Sequence, residues 1–154
     1  MIKVMFICHG NICRSPMAQS VFSYYVKQEG KEEHFLIDSS ATSREEISNP
    51  PHHGTKKILS KKNIPLIDHR AKQITNEDAK NFDLLICMDN NNVYNLKKII
   101  HEDHHSKISL LLEYANINRD IRDPWYTGNF FETFEDINIG CKALLKTLSQ
   151  KITS

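Results

Sequence analysis

Met1-Ile2-Lys3-Val4-Met5-Phe6-Ile7-Cys8-His9-Gly10-Asn11-Ile12-Cys13-Arg14-Ser15-Pro16-Met17-Ala18 is an apolar, β-branched run that stops at a cysteine, then a short loop, then a proline that opens a helix. Strand, tight loop and helix start together make an anion site. The free amides of a helix N-terminus point outward, the dipole is positive there, and successive loop amides form a nest. Cys8 and Arg14 bracket the loop with five residues between them, giving Cys-x5-Arg-Ser. These residue types suit a phosphate cradle with a thiolate at its floor. Cysteine is nucleophilic as its thiolate, which helix N-termini, cations and convergent amides stabilise. The planar fork of arginine holds two oxygens of a phosphoryl group, where lysine offers only a point charge. Gly10 and Asn11 tolerate φ > 0 best and let the loop curl with its amides inward. Ser15 has two uses open to it, a hydrogen bond to the Cys8 sulfur or a helix cap. The plain alternative is a buried strand cysteine before an ordinary βα turn, since a bare Cys-x5-Arg matches by chance. A strand before and a helix after are what set this copy apart.

Outward from that loop, apolar runs of strand length alternate with helical periodicity, which predicts an α/β fold with a parallel sheet. Ala18, Val21, Phe22 and Tyr25 recur at helical spacing, with Gly30 as the stop. Phe35 to Ala41 reads as a second strand, Gly54 to Lys62 as a helix, and Thr75-Asn76-Glu77-Asp78 as a capped helix start. Asp83 to Met88 is a buried strand, Asn90 to Ile100 a helix, and Lys107 to Leu112 an edge strand. Ile137, Cys141, Leu144, Leu145, Leu148 and Ile152 trace an apolar stripe on a C-terminal helix. With no repeat, low-complexity tract or linker, residues 1–154 are expected to form one domain. Twenty basic against nineteen acidic side chains give a net charge of +1, which offers no electrostatic case for nucleic acid or an anionic membrane as partner. No apolar run is long enough to span a bilayer, and no signal peptide is evident. Four cysteines, at 8, 13, 87 and 141, are too sparse for a secreted disulfide scaffold, so a reduced, cytoplasmic protein is expected.

The run Cys8-His9-Gly10-Asn11-Ile12-Cys13-Arg14-Ser15-Pro16 resembles the signature of the low-molecular-weight protein tyrosine phosphatases. Asp123-Pro124-Trp125-Tyr126 resembles the general-acid loop of that family. Asn49-Pro50-Pro51-His52-His53-Gly54-Thr55, Asp68-His69-Arg70-Ala71-Lys72-Gln73 and Cys87-Met88-Asp89 follow in the family's order across almost the whole chain. The resemblance implies a single-domain, three-layer fold with a four-stranded parallel sheet of flavodoxin-like order. It also implies a division of labour. Cys8 attacks phosphorus and forms a cysteinyl-phosphate. The loop His9, Gly10, Asn11, Ile12, Cys13 and Arg14 binds the phosphate, with Arg14 as clamp. Asp123 protonates the leaving phenolate and then serves as base toward water. Alone, Asp123-Pro124 would be read as a turn. Trp125 and Tyr126 wall a narrow cleft that admits a phenyl ring, so tyrosine-phosphorylated proteins or peptides are the expected partners. Asn11, Ser15, Ser39 and His69 form a hydrogen-bond network that supports a strained asparagine, although His69 alone would pass for a solvated loop residue. Cys13 is favoured as a reversible disulfide partner of Cys8, against the plain reading of a small buried hydrophobe. No metal or cofactor is called for, and a monomer is expected.

The pattern departs from the family at Ser39-Ser40-Ala41-Thr42-Ser43-Arg44-Glu45-Glu46, where Glu45 stands in place of a large aromatic on the wall opposite Trp125. A weaker grip on the aryl ring and poorer handling of acidic phosphopeptides are expected. His9 likewise replaces a more common apolar residue beside the nucleophile.

Other readings compete on specific residues. His101-Glu102-Asp103-His104-His105 matches the zinc-peptidase pattern His-Glu-x-x-His, but it follows a helix that is ending and reads as a solvated turn. Thioredoxin-coupled arsenate reductases resemble the cradle but use two further, neighbouring cysteines, whereas Cys87 stands alone. Protein-arginine phosphatases carry threonine at the position of Ile12. A non-catalytic anion-binding module would not need nucleophile, clamp and acid together.

Overall fold

The computed structural model describes residues 1–153. Its strands β1 (Ile2–Cys8), β2 (Phe35–Ala41), β3 (Leu84–Cys87) and β4 (Ile108–Leu110) form one parallel sheet in the order β2-β1-β3-β4. Helices α1 (Arg14–Gln28), α2 (His53–Lys61) and α6 (Phe130–Thr153) cover one face, and α3 (Asn76–Asn81) and α4 (Asn90–Ile99) the other. The period-2 pleat sorts β1 between them. Val4, Phe6 and Cys8 pack toward α1 and α6, while Met5 and Ile7 pack toward α3 and α4. A strand buried on both sides must be apolar without interruption, which is why Val4 to Ile7 shows no alternation.

Strand order explains where the site lies. The chain leaves β1 toward β2 on one side and returns across it to β3 on the other. The carboxyl ends of β1 and β3 are therefore the topological switch point, where connections diverge and a crevice opens. Cys8 ends β1 and Asp89 follows β3 by two residues.

Most expected elements stand within a residue or two of their predicted bounds, and the differences have local causes. Pro16 does not open α1. The helix begins two residues earlier, at Arg14, so Pro16 sits in the first turn where its missing amide costs no internal bond. Gly30 does mark the stop, with φ of 66° just beyond the helix end. The capped start at Thr75 is a full capping box with Asp78. The expected edge strand Lys107–Leu112 is only three residues, because Leu111 and Leu112 turn inward in a 3-10 helix (Leu111–Ala115) and pack under α6. The His101–His105 segment is a 3-10 helix (Glu102–Lys107) capped by His101, whose Nδ1 accepts from the Asp103 amide. At three residues per turn, residues four apart do not share a face, so the zinc-peptidase arrangement is absent there.

The turn at Leu111 leaves a mark on α6. A Cβ built on Gly140 would stand 2.5 Å from Leu111 Cγ. Gly140→Ala is expected to destabilise the protein by about 1–2 kcal/mol, overpacking outweighing the gain in helix propensity. Combined with Leu111→Ala, the two losses should be less than additive in urea unfolding.

Candidate active site

The loop from Cys8 to Arg14 is shaped by bonds its carbonyls make to neighbouring segments. Thr42 N–H donates to the Cys8 carbonyl, Ser43 N–H to His9, His52 N–H to Ile12, and the Thr55 hydroxyl to Cys13. In a trans peptide the next residue's N–H points the opposite way. The amides of Gly10, Cys13 and Arg14 are thereby turned away from those segments, and none has a hydrogen-bond partner among the described residues. Only Asn11 takes a positive φ, of 60°. Gly10, expected to share that role, does not. A Cβ there would meet nothing nearer than 3.5 Å.

Three donors converge on Cys8 Sγ. Asn11 N–H lies 3.2 Å away, Ser15 N–H 3.4 Å and the Ser15 hydroxyl 3.0 Å. Asn11 Nδ2 donates to Ser15 Oγ at 2.7 Å, so the serine proton is left for the sulfur, with the Ser40 carbonyl at 3.5 Å the longer alternative. Of the two uses open to Ser15, the bond to sulfur is the one made; α1 has no side-chain cap.

The expected support network is assembled around Asn11. Its Nδ2 also donates to Ser39 Oγ at 3.0 Å, and its Oδ1 lies 2.7 Å from His69 Nε2 and accepts from Lys72 N–H at 3.2 Å. Ser39 in turn donates to Gln19 Oε1 at 2.6 Å. Gln19 is buried on α1 and was not foreseen. Its only sequence signal is a polar residue one position from Ala18 on a helix whose first turns are entirely buried.

Arg14 is 2 % exposed. Its Nη1 donates to Asp89 Oδ2 at 2.6 Å and to the Ile121 carbonyl at 2.8 Å, while Nη2 stands 3.5 Å from Asp123 Oδ2. Nε is buried and has no partner among the described residues. One edge of the guanidinium is fixed to the scaffold, and the Nε–Nη2 edge remains to grip an oxyanion. Burial works against the charge, but Cys8, Asp89 and Asp123 outweigh it and raise the Arg14 pKa above its ordinary value. Asp89 is the second residue that sequence reasoning passed over. Cys87-Met88-Asp89 carried the resemblance, but only the adjacency of β1 and β3 gives the aspartate its partner.

Opposite the loop, Asp123 caps the short helix α5 (Pro124–Thr127), with Oδ1 accepting from Trp125 N–H at 3.0 Å. Cys8, His9, Gly10, Ile12, Cys13, Glu45, Glu46, Asp123, Trp125 and Tyr126 line one cleft. Trp125 and Tyr126 are 56 % and 81 % exposed, so they are walls and not core. Glu45 joins them at the rim and lies 3.0 Å from His9 Nε2. Among the described residues, no three His, Cys, Asp or Glu side chains are grouped to hold a metal ion, and no helix is long and apolar enough to cross a membrane.

The sequence profile described as "Low molecular weight phosphotyrosine protein phosphatase" matches residues 3–154. The chain belongs to that family. It is 38 % identical over 153 residues to the low-molecular-weight protein-tyrosine-phosphatase YfkJ of Bacillus subtilis, covering 98 % of each chain. It is 42 % identical over 150 residues to the low-molecular-weight phosphotyrosine protein phosphatase of Gallus gallus, covering 94 % of each. The crystal structure of YfkJ superposes with a TM-score of 0.94 over 98 % of this chain and 96 % of that one. The four-stranded parallel sheet with helices on both faces is thus that of low-molecular-weight phosphatase structures.

His69 makes the support network sensitive to pH. Burial above all, with Lys72 adding and Asp38 and Asp68 opposing, holds its pKa below the ordinary 6.5. The unfolded chain then binds that proton more tightly than the folded one. The contribution of His69 to stability is complete above pH 6.5 and is lost as pH falls through the lower folded value. Urea midpoints measured from pH 7.5 to 5.5 should fall, and His69→Gln should flatten that part of the slope.

Proposed function

We propose that this chain is a protein-tyrosine phosphatase that hydrolyses phosphotyrosine in proteins or peptides, and small aryl phosphates, through a cysteinyl-phosphate. The observation that carries the reading is a Cys8 sulfur that accepts from the loop and lines an aromatic-walled cleft, with a buried Arg14 close behind it whose Nε has no partner among the described residues. Cys8 Sγ attacks phosphorus in line as the bond from phosphorus to the aryl oxygen breaks. The Gly10, Cys13 and Arg14 amides and the Nε–Nη2 edge of Arg14 take the equatorial oxygens. With Asp123 Oδ1 held by the Trp125 amide, Oδ2 is the oxygen that carries the proton to the leaving phenolate. In the second step Asp123 takes a proton from water, water oxygen bonds to phosphorus, and the sulfur leaves as thiolate with inorganic phosphate.

Ile12 on the cleft wall favours an aryl group over the arginine-phosphate reading. Cys87 packs with α4 and Cys141 with α1, on opposite faces of the sheet, which leaves no downstream cysteine pair for arsenate reduction. The four cysteines are free and buried, which fits a reducing, cytoplasmic setting. Cys13 is the redox partner in this reading. Burial, then the charges of Cys8 and Asp123, push its thiol up, so it waits protonated. When peroxide converts Cys8 to the sulfenic acid, Cys13 sulfur displaces water and closes the disulfide.

Hydrolysis of p-nitrophenyl phosphate in EDTA tests the reading. Wild type should turn over, Cys8→Ser should not, and Asp123→Asn should lose about 10²–10⁴-fold in rate. A folded, reduced wild type without activity would sink it. Glu45→Trp should raise kcat/KM toward aryl phosphates by restoring an apolar wall, and no change would remove Glu45 from the cleft's specificity.

A further inference from the structure

His52 lies outside both the catalytic set and the Asn11 network, yet it touches both sides of the cleft. Its backbone N–H donates to the Ile12 carbonyl at 2.7 Å, tying it to the phosphate loop. Its ring stacks on Phe130 at 5.1 Å and 17°, and meets Trp125 edge-on at 5.8 Å and 80°. Nδ1 accepts the Gly54 amide at 3.0 Å, capping α2 and fixing the ring's rotation. The close approach leaves no slack, since a Cβ on Gly54 would stand 2.5 Å from the Phe130 ring. Burial, then the stacked His53, hold the His52 pKa below its ordinary value, with Glu46 opposing, which keeps Nδ1 an acceptor at neutral pH.

Trp125 has more than half its surface exposed, and His52 is the one ring packed against it among the described residues. Asp123 stands two residues before it on the same turn, bonded to its amide. We propose that His52 is a positioning residue, which links the phosphate loop to the Asp123–Thr127 turn and sets where Trp125, and with it Asp123, stand relative to Cys8. The inference rests on the phosphatase reading above.

Two substitutions separate the ring from the cap. His52→Asn retains an N-cap acceptor and loses the stack, and His52→Phe does the reverse. If His52 places the acid, loss of the ring harms esters whose leaving group needs a proton. His52→Asn should lower kcat/KM about tenfold for phenyl phosphate and less than about threefold for p-nitrophenyl phosphate. His52→Phe should stay within about threefold of wild type on both esters. Trp125 is the only tryptophan in the chain, so its emission should shift to the red in His52→Asn and return in His52→Phe. An equal loss on both esters that phenylalanine does not restore would reduce His52 to a helix cap. Unchanged emission in His52→Asn would overturn the proposal outright. Phe130→Leu removes the opposite ring of the stack and should reproduce the leaving-group pattern even if the asparagine variant does not fold. A wild type inactive on both esters would overturn the phosphatase reading instead, while the emission still decides whether His52 places the indole.

Discussion

The left-handed conformation of Asn11 is the constraint on which the rest of the site depends. A non-glycine residue pays roughly 1–2 kcal/mol to sit there, and it stays only where its surroundings over-determine it. Here the surroundings come from every side. Ser15 and Gln19 reach in from α1, Ser39 from the end of β2, and His69 and Lys72 from the segment that follows α2. The result is that the Asn11 amide faces the sulfur of Cys8 instead of solvent. The shape of the Cys8–Arg14 loop is thus set by the folding of distant segments as much as by the loop itself.

Arg14 shows the same economy with charge. Burying a guanidinium costs several kcal/mol unless it is paired and hydrogen-bonded. Asp89 and the Ile121 carbonyl hold Nη1, Asp123 stands at the long distance of 3.5 Å from Nη2, and Nε has no partner among the described residues. The position of this arginine is set by the segments that follow β3 and precede α5. Asp123 then adds a carboxylate whose two oxygens have different work, one capping its own helix and one facing Arg14.

Much of this was legible in the chain. The uninterrupted apolar run in β1, the Cys-x5-Arg loop and the helical stripe on α6 are local patterns, set by strand pleat, helix period and loop length. They specify an α/β fold with a tight loop between a strand end and a helix start. Gln19, Asp89 and His52 were not legible as parts of the site. Their roles come from which elements lie side by side, and nothing within a few residues of Gln19 or Asp89 indicates a partner that lies far along the chain. His52 could be read in its segment but not as a neighbour of Trp125, which is 73 residues further on and reaches it only because α2 and the Asp123 turn converge on the same loop.

By itself the sequence determined most of the elements, their order and the Cys-x5-Arg loop between the first strand and the first helix, because each follows from short-range geometry and side-chain chemistry. Tertiary structure alone decided that Asn11, not Gly10, takes the strained conformation, that Leu111 turns inward instead of extending β4, and which partners hold Arg14. Those outcomes depend on packing and hydrogen bonds between segments brought together by the strand order. The energy of such contacts exists only once the sheet has formed.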